Sequence, residues 1–136
     1  MKLRTCLFSA MLLASSNVFA ELVIVVNPTN SSSLDSKSVQ RIFLGKEKKF
    51  SDGSETIVIN QESTTDIRQS FDEDVLGRSS SQVSAYWSKL VFTGKGIPPK
   101  EVASDAEVIE LVAKNPNVIG YVNKASVTDA VKAIQL

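Results

Sequence analysis

Ile57-Val58-Ile59-Asn60-Gln61-Glu62-Ser63-Thr64-Thr65-Asp66-Ile67-Arg68-Gln69-Ser70-Phe71 runs an apolar, β-branched segment into a hydroxyl-rich turn and then into the first turn of a helix. A strand that ends where a helix begins points unpaired backbone N–H groups, and the positive end of the helix dipole, at one place. Such a junction suits a bound anion. Ser63, Thr64 and Thr65 add three hydroxyls, and Arg68 sits in the first helical turn, where a cation is disfavoured unless something negative lies close. The same residues also read as a capping box, with Ser63 as N-cap and Asp66 three residues on. Both readings stand at this point.

Working outward, Leu22-Val23-Ile24-Val25-Val26 is a continuous apolar run of the kind a strand covered on both faces requires. Asn27 to Ser33 is a polar loop. Asp35 or Ser36 caps a helix carrying Val39, Ile42 and Phe43, which Gly45 stops. Asp52-Gly53 marks a turn before the strand at Thr56 to Asn60. Beyond Thr65, Ile67, Phe71 and Val75 make one apolar helical stripe, which Gly77 ends. Ser81 opens a third helix whose Tyr86 and Trp87 read as core packing. Phe92 to Pro99, including Gly94-Lys95-Gly96, reads as loop, since it lacks the strand and helix that flank a phosphate loop. Ser104 and Glu107 form a capping box for a helix burying Val108, Leu111 and Val112. Val118 to Val122 is a strand, and Val131 to Leu136 another. Strands alternating with helices predict an α/β fold with a mixed sheet flanked by helices.

The first 20 residues read as a secretory leader. Lys2 and Arg4 precede an apolar stretch from Cys6 to Ala14, and Val18-Phe19-Ala20 places cleavage after Ala20. The stretch is too short to span a bilayer. The expected organisation is therefore a signal peptide over 1–20 and one domain over 21–136. The expected location is the periplasm, with no membrane insertion after cleavage. Cys6 is the sole cysteine, so residues 21–136 hold neither disulfides nor cysteine nucleophiles. Two of the 15 basic residues, Lys2 and Arg4, precede Glu21, which leaves 13 against 15 acidic and a net charge of −2. That balance argues against a nucleic-acid partner. The chain has no histidine, which removes the commonest general base and metal ligand. Asp72-Glu73-Asp74 reads as a solvated helix face rather than a metal site. We expect no enzyme activity, no cofactor and no metal.

Three segments taken together go further. Arg41-Ile42-Phe43-Leu44-Gly45-Lys46, the Glu62-to-Arg68 turn with Phe71 behind it, and Asn117-Val118-Ile119-Gly120-Tyr121-Val122, in this order, resemble the phosphate-binding proteins of bacterial phosphate ABC transporters. Those belong to the type 2 periplasmic binding protein superfamily. The resemblance runs from about Val39 to Val122 and is closest to short, single-domain members. It implies a single three-layer-like lobe of that fold and inorganic phosphate or a similar oxyanion as ligand. The implied site is Ser63, Thr64 and Thr65, with Arg68 as the charged partner. The family also uses an acidic side chain to accept the proton of hydrogen phosphate, for which Glu62 and Asp66 are the nearest candidates.

Two departures from the family accompany the resemblance. Glu62 and Thr64 occupy apparent glycine positions of its turn, and the chain is about half the length a two-lobed binder needs. Ser31, Ser32 and Ser33 are candidates for a small opposing wall. Charge reversal at Arg68 is then expected to abolish binding and spare the fold. The alternative is a ligand-free interaction module that kept the fold and docks on an envelope or membrane protein.

Overall fold

The computed structural model describes residues 21–136; the leader reading falls on residues outside them. Five strands form one mixed sheet: β1 (Leu22–Val26), β2 (Ile57–Gln61), β3 (Lys100–Val102), β4 (Val118–Asn123) and β5 (Lys132–Ile134), in the order β3-β2-β4-β1-β5. β2 runs parallel to β3 and β4, while β1 runs antiparallel to β4 and β5. The helices are α1 (Ser36–Phe43), α2 (Asp66–Ser70), α3 (Ser80–Phe92) and α4 (Asp105–Lys114).

The apolar run of β1 does what its composition predicts. Ile24 and Val26 join one core with Phe43, Phe71, Trp87 and Tyr121, while Val23 and Val25 join a second with Val108 and Val112. The first core packs α1, α2 and α3 against one face of the sheet, and the second packs α4 against the other. This is the expected three-layer arrangement. The chain leaves β2 for β3 through α2 and α3 on one face, then returns past β2 to β4 through α4 on the opposite face. Reversing both direction and face keeps the same hand of crossover, as the twist of parallel strands demands. Gly120, central in β4, lets α4 approach closely: a Cβ there would lie 2.6 Å from Val108 Cγ1.

Local signals met different fates. Asp35 caps α1 in a full capping box with Ser38. The N-cap of α2 is Thr65, not Ser63: the Thr65 hydroxyl accepts the Arg68 N–H and donates to the Glu62 carbonyl. Ser79, two residues before the expected start, caps α3. Ser104 caps α4, but the Glu107 carboxylate accepts from Ala103 N–H rather than closing a box on Ser104. α2 passes directly into a π-helical turn, Phe71–Val75, where the Leu76 N–H reaches back to the Phe71 carbonyl. Lys100–Val102, three residues with two charges, is a strand that no periodicity announces.

Candidate functional site

The turn at Glu62–Thr65 follows the carboxyl end of β2, and its residues divide by environment. Ser63 and Thr64 are exposed and Thr65 is half-buried as the cap. The backbone N–H groups of Ser63, Thr64, Asp66 and Ile67 have no hydrogen-bond acceptor among the described residues, whereas Glu62 and Thr65 donate to the Val102 and Glu62 carbonyls. Four free donors within five consecutive residues are what a helix start leaves over.

Arg68 is not at the surface. It is 4% exposed, and its guanidinium is tied to its own chain. Nε donates to Asp72 Oδ2 at 2.9 Å, and Nη1 donates to the Gln61 carbonyl at 2.7 Å and to Glu101 Oε1 at 3.1 Å. Nη2 alone has no hydrogen bond among the described residues. Burial opposes the charge, but Asp72 and Glu101 outweigh it and raise the guanidinium pKa. The negative group that Arg68 requires in a first helical turn is therefore Asp72, one turn on.

Asp72 is fully buried, which corrects the reading of Asp72-Glu73-Asp74 as a solvated face; Glu73 and Asp74 do face water. Asp72 Oδ2 also accepts from the Ser80 hydroxyl at 2.8 Å, and its Oδ1 has no partner among the described residues. Glu101, on β3, is the member of this group that sequence reasoning missed. Half-exposed, it shares one cleft with Ser63, Arg68 and Trp87. Glu62 and Asp66 are exposed and make no ion pair among the described residues.

The suggested opposing wall lies elsewhere. Val26 pairs with Ile119 at the start of β4, while β2 starts opposite Val118, runs parallel to β4 and so ends toward the far end of that strand. The Asn27-to-Ser33 loop therefore leaves the sheet at the end opposite to the Ser63 turn.

Behind the turn stands a polar lattice. Gln61 N–H donates to Asn60 Oδ1 and to the Tyr121 hydroxyl, which itself donates to Asn60 Oδ1. Burial pushes the Tyr121 phenol pKa up. Gln61 Nε2 donates to Asp105 Oδ1 at 2.7 Å; Asp105 Oδ2 accepts from Asn123 N and Nδ2 and from the Ser126 hydroxyl. Asp105 thereby ties the ends of β2 and β4 together from the first turn of α4. Burial would raise its pKa, yet the hydrogen bonds from Ser126, Gln61 and Asn123 win and lower it below 3.8. A depressed carboxylate stabilises the fold above its unfolded pKa and loses that contribution as pH falls through the folded one. Asp105→Asn should therefore lower the melting temperature more near pH 6 than near pH 2. An unchanged gap at both pH values would show that the Asp105 charge carries none of this stability.

Neither a protein-family model nor a curated protein matches the chain. Solved structures do. An ABC-type phosphate transport receptor from Vibrio cholerae is 25% identical at a TM-score of 0.66, covering 85% of this chain and 45% of its own. The chain has the fold of the phosphate ABC transporter substrate-binding proteins. A putative phosphate ABC transporter substrate-binding protein from Clostridium perfringens, solved with bound phosphate, superposes at a TM-score of 0.66 with 18% identity. It covers 84% of this chain and 44% of its own. A phosphate-binding-protein-like fold is thus present in a chain that spans less than half the length of those it matches.

Proposed function

We propose that this protein is an exported, periplasmic oxyanion-binding domain, with inorganic phosphate as its ligand. The observation that carries the reading is the shared cleft of Ser63, Arg68 and Glu101 beside a turn with four unpaired N–H groups. The free donors and the hydroxyls of Ser63 and Thr64 supply hydrogen bonds to oxyanion oxygens, and Arg68 Nη2 adds a charged one. Thr65 acts through the turn, whose shape it holds as the cap. The carboxyl end of a parallel strand is also where open α/β sheets place ligands.

Glu101 sets the choice of anion. Arg68, Asp72 and Glu101 together carry a net charge of about −1, so an incoming dianion meets repulsion as well as donors. A P–OH group turns that repulsion into a hydrogen bond by donating to the carboxylate. Sulfate has no proton to give near neutral pH. Glu101 thus fills the acceptor role better than Glu62 or Asp66.

Calorimetric titration of the purified protein with phosphate, with sulfate as control, tests the reading. Saturable phosphate binding at least tenfold tighter than sulfate is expected. Ser63→Asp should abolish it, and Glu101→Gln should narrow the preference. One observation favours the second reading, a ligand-free interaction module. Two of the three guanidinium nitrogens of Arg68 are already spent on the protein's own acceptors. No heat with either anion, from protein shown to be folded, would overturn the first reading in favour of that one.

A further inference from the structure

At the carboxyl end of α3 the surface turns apolar. Phe92 is 92% exposed and Ile97 89%, and Val91 is exposed beside them. Single exposed apolar residues need no explanation, but a contiguous set does. Ile97 lines a groove of about 820 Å³ whose walls include Leu44, Tyr86, Trp87 and Leu90. Phe92 lines the neighbouring cleft, and Trp87, Val91 and Pro98 line both, so the apolar surface is continuous.

The groove is rigid before anything enters it. Gly45, at φ 71°, packs close to the tip of the Trp87 indole, where a Cβ would approach Cη2 to 2.9 Å. The Tyr86 hydroxyl donates to the Leu44 carbonyl at 2.6 Å. At the groove's other side, the Lys95 N–H closes on the Leu90 carbonyl and the Gly94 N–H on Val91, which pins the chain leading to Ile97.

The rim is basic. Lys46, Lys48 and Lys95 line the groove, and none has an ion-pair partner among the described residues. Glu47, between two of them, lines a different cleft with Lys49 and Phe50. In a domain whose net charge is negative, no carboxylate among the described residues lines the groove itself; Glu101 lines the adjoining cleft.

We infer that this groove is a docking surface for an acidic segment of another protein carrying at least two large apolar side chains. Charge selects the occupant. A second copy of the chain would bring two sets of three lysines together in a two-fold interface, which like-charge repulsion opposes. An acidic partner neutralises them while its apolar side chains cover Ile97 and Phe92. Phe92 borders the cleft of Ser63 and Arg68 as well, but the three lysines and Ile97 lie outside it, so the lysine variant separates docking from oxyanion binding.

Selection from a random 12-residue peptide display library on the immobilised protein tests it. The expected peptides pair Asp or Glu with Phe, Leu, Ile or Trp. A synthesised winner should lose at least tenfold in affinity for Phe92→Ser/Ile97→Ser and for Lys46→Glu/Lys95→Glu, and should weaken with added salt. All four side chains are exposed, so both variants keep the fold, as circular dichroism would verify. No enrichment, enrichment of basic or uncharged sequences, or equal binding to both variants would overturn the inference. So would sedimentation with phosphatidylglycerol vesicles, or self-association of the wild type, that disappears in the Phe92→Ser/Ile97→Ser variant.

Discussion

Arg68→Ala should cost about 3–5 kcal/mol of folding stability, the usual penalty for breaking a buried ion pair from one side. Asp72 is fully buried and would be left with only the Ser80 hydroxyl as partner. The Gln61 carbonyl would lose its Nη1 donor as well. Against a typical total of about 5–15 kcal/mol, that loss is severe. Arg68→Glu would be worse, with three carboxylates in one place, so charge reversal does not separate binding from folding as the sequence alone suggests. The control is Arg68→Met with Asp72→Leu, which removes both charges and should recover much of the loss. Urea denaturation of the three proteins decides the matter. A single Arg68→Ala cost below about 1 kcal/mol would show that the pair contributes no more than a surface one.

A second large effect is expected at Phe71→Ala, about 3–5 kcal/mol from burial and cavity formation. Phe71 is fully buried. Its ring stacks on Tyr121 with centroids 3.9 Å apart and planes within 3°, and it meets Phe43 at 4.7 Å. The consequence reaches the site, because the Tyr121 hydroxyl accepts the Gln61 N–H and Gln61 in turn accepts from Arg68. A double-mutant cycle of Phe71→Ala with Tyr121→Phe should show coupling of about 0.5–3 kcal/mol. Strict additivity would mean that the stack and the hydrogen bond hold the turn independently.

The elements legible in the sequence are those whose cause is local. The β-branched run at Leu22 to Val26, the Asp35 cap and the Val118-to-Val122 strand each carry their own signal. What stayed hidden depends on partners far along the chain. Glu101 reaches Arg68 from 33 residues away, through a strand too short to have a period. Asp72 was in principle readable: an Arg and an Asp at i, i+4 are a helix pair. Its place in a run of three acids disguised that, because only a buried neighbour distinguishes one carboxylate from the next. Thr65 displaced Ser63 as cap because caps depend on where the backbone turns helical, which hydroxyl-rich sequence leaves open by a residue or two. The direction of β1 decides which end of the sheet the Asn27-to-Ser33 loop occupies. An apolar run reads the same in either direction, so that loop could not be placed from sequence.

β1 also has a temporal consequence. Among the described strands it comes first along the chain, yet its two neighbours come last, with Leu22 opposite Asn123 and Val26 opposite Lys132. Pairing across such sequence separation demands closure of a loop containing nearly the whole domain before any ladder bond repays it. The sheet's most apolar strand therefore stays unpaired until β4 and β5 have emerged, exposed to aggregation until then. Its maturation should be governed less by how fast residues emerge than by how well that one strand is shielded while it waits.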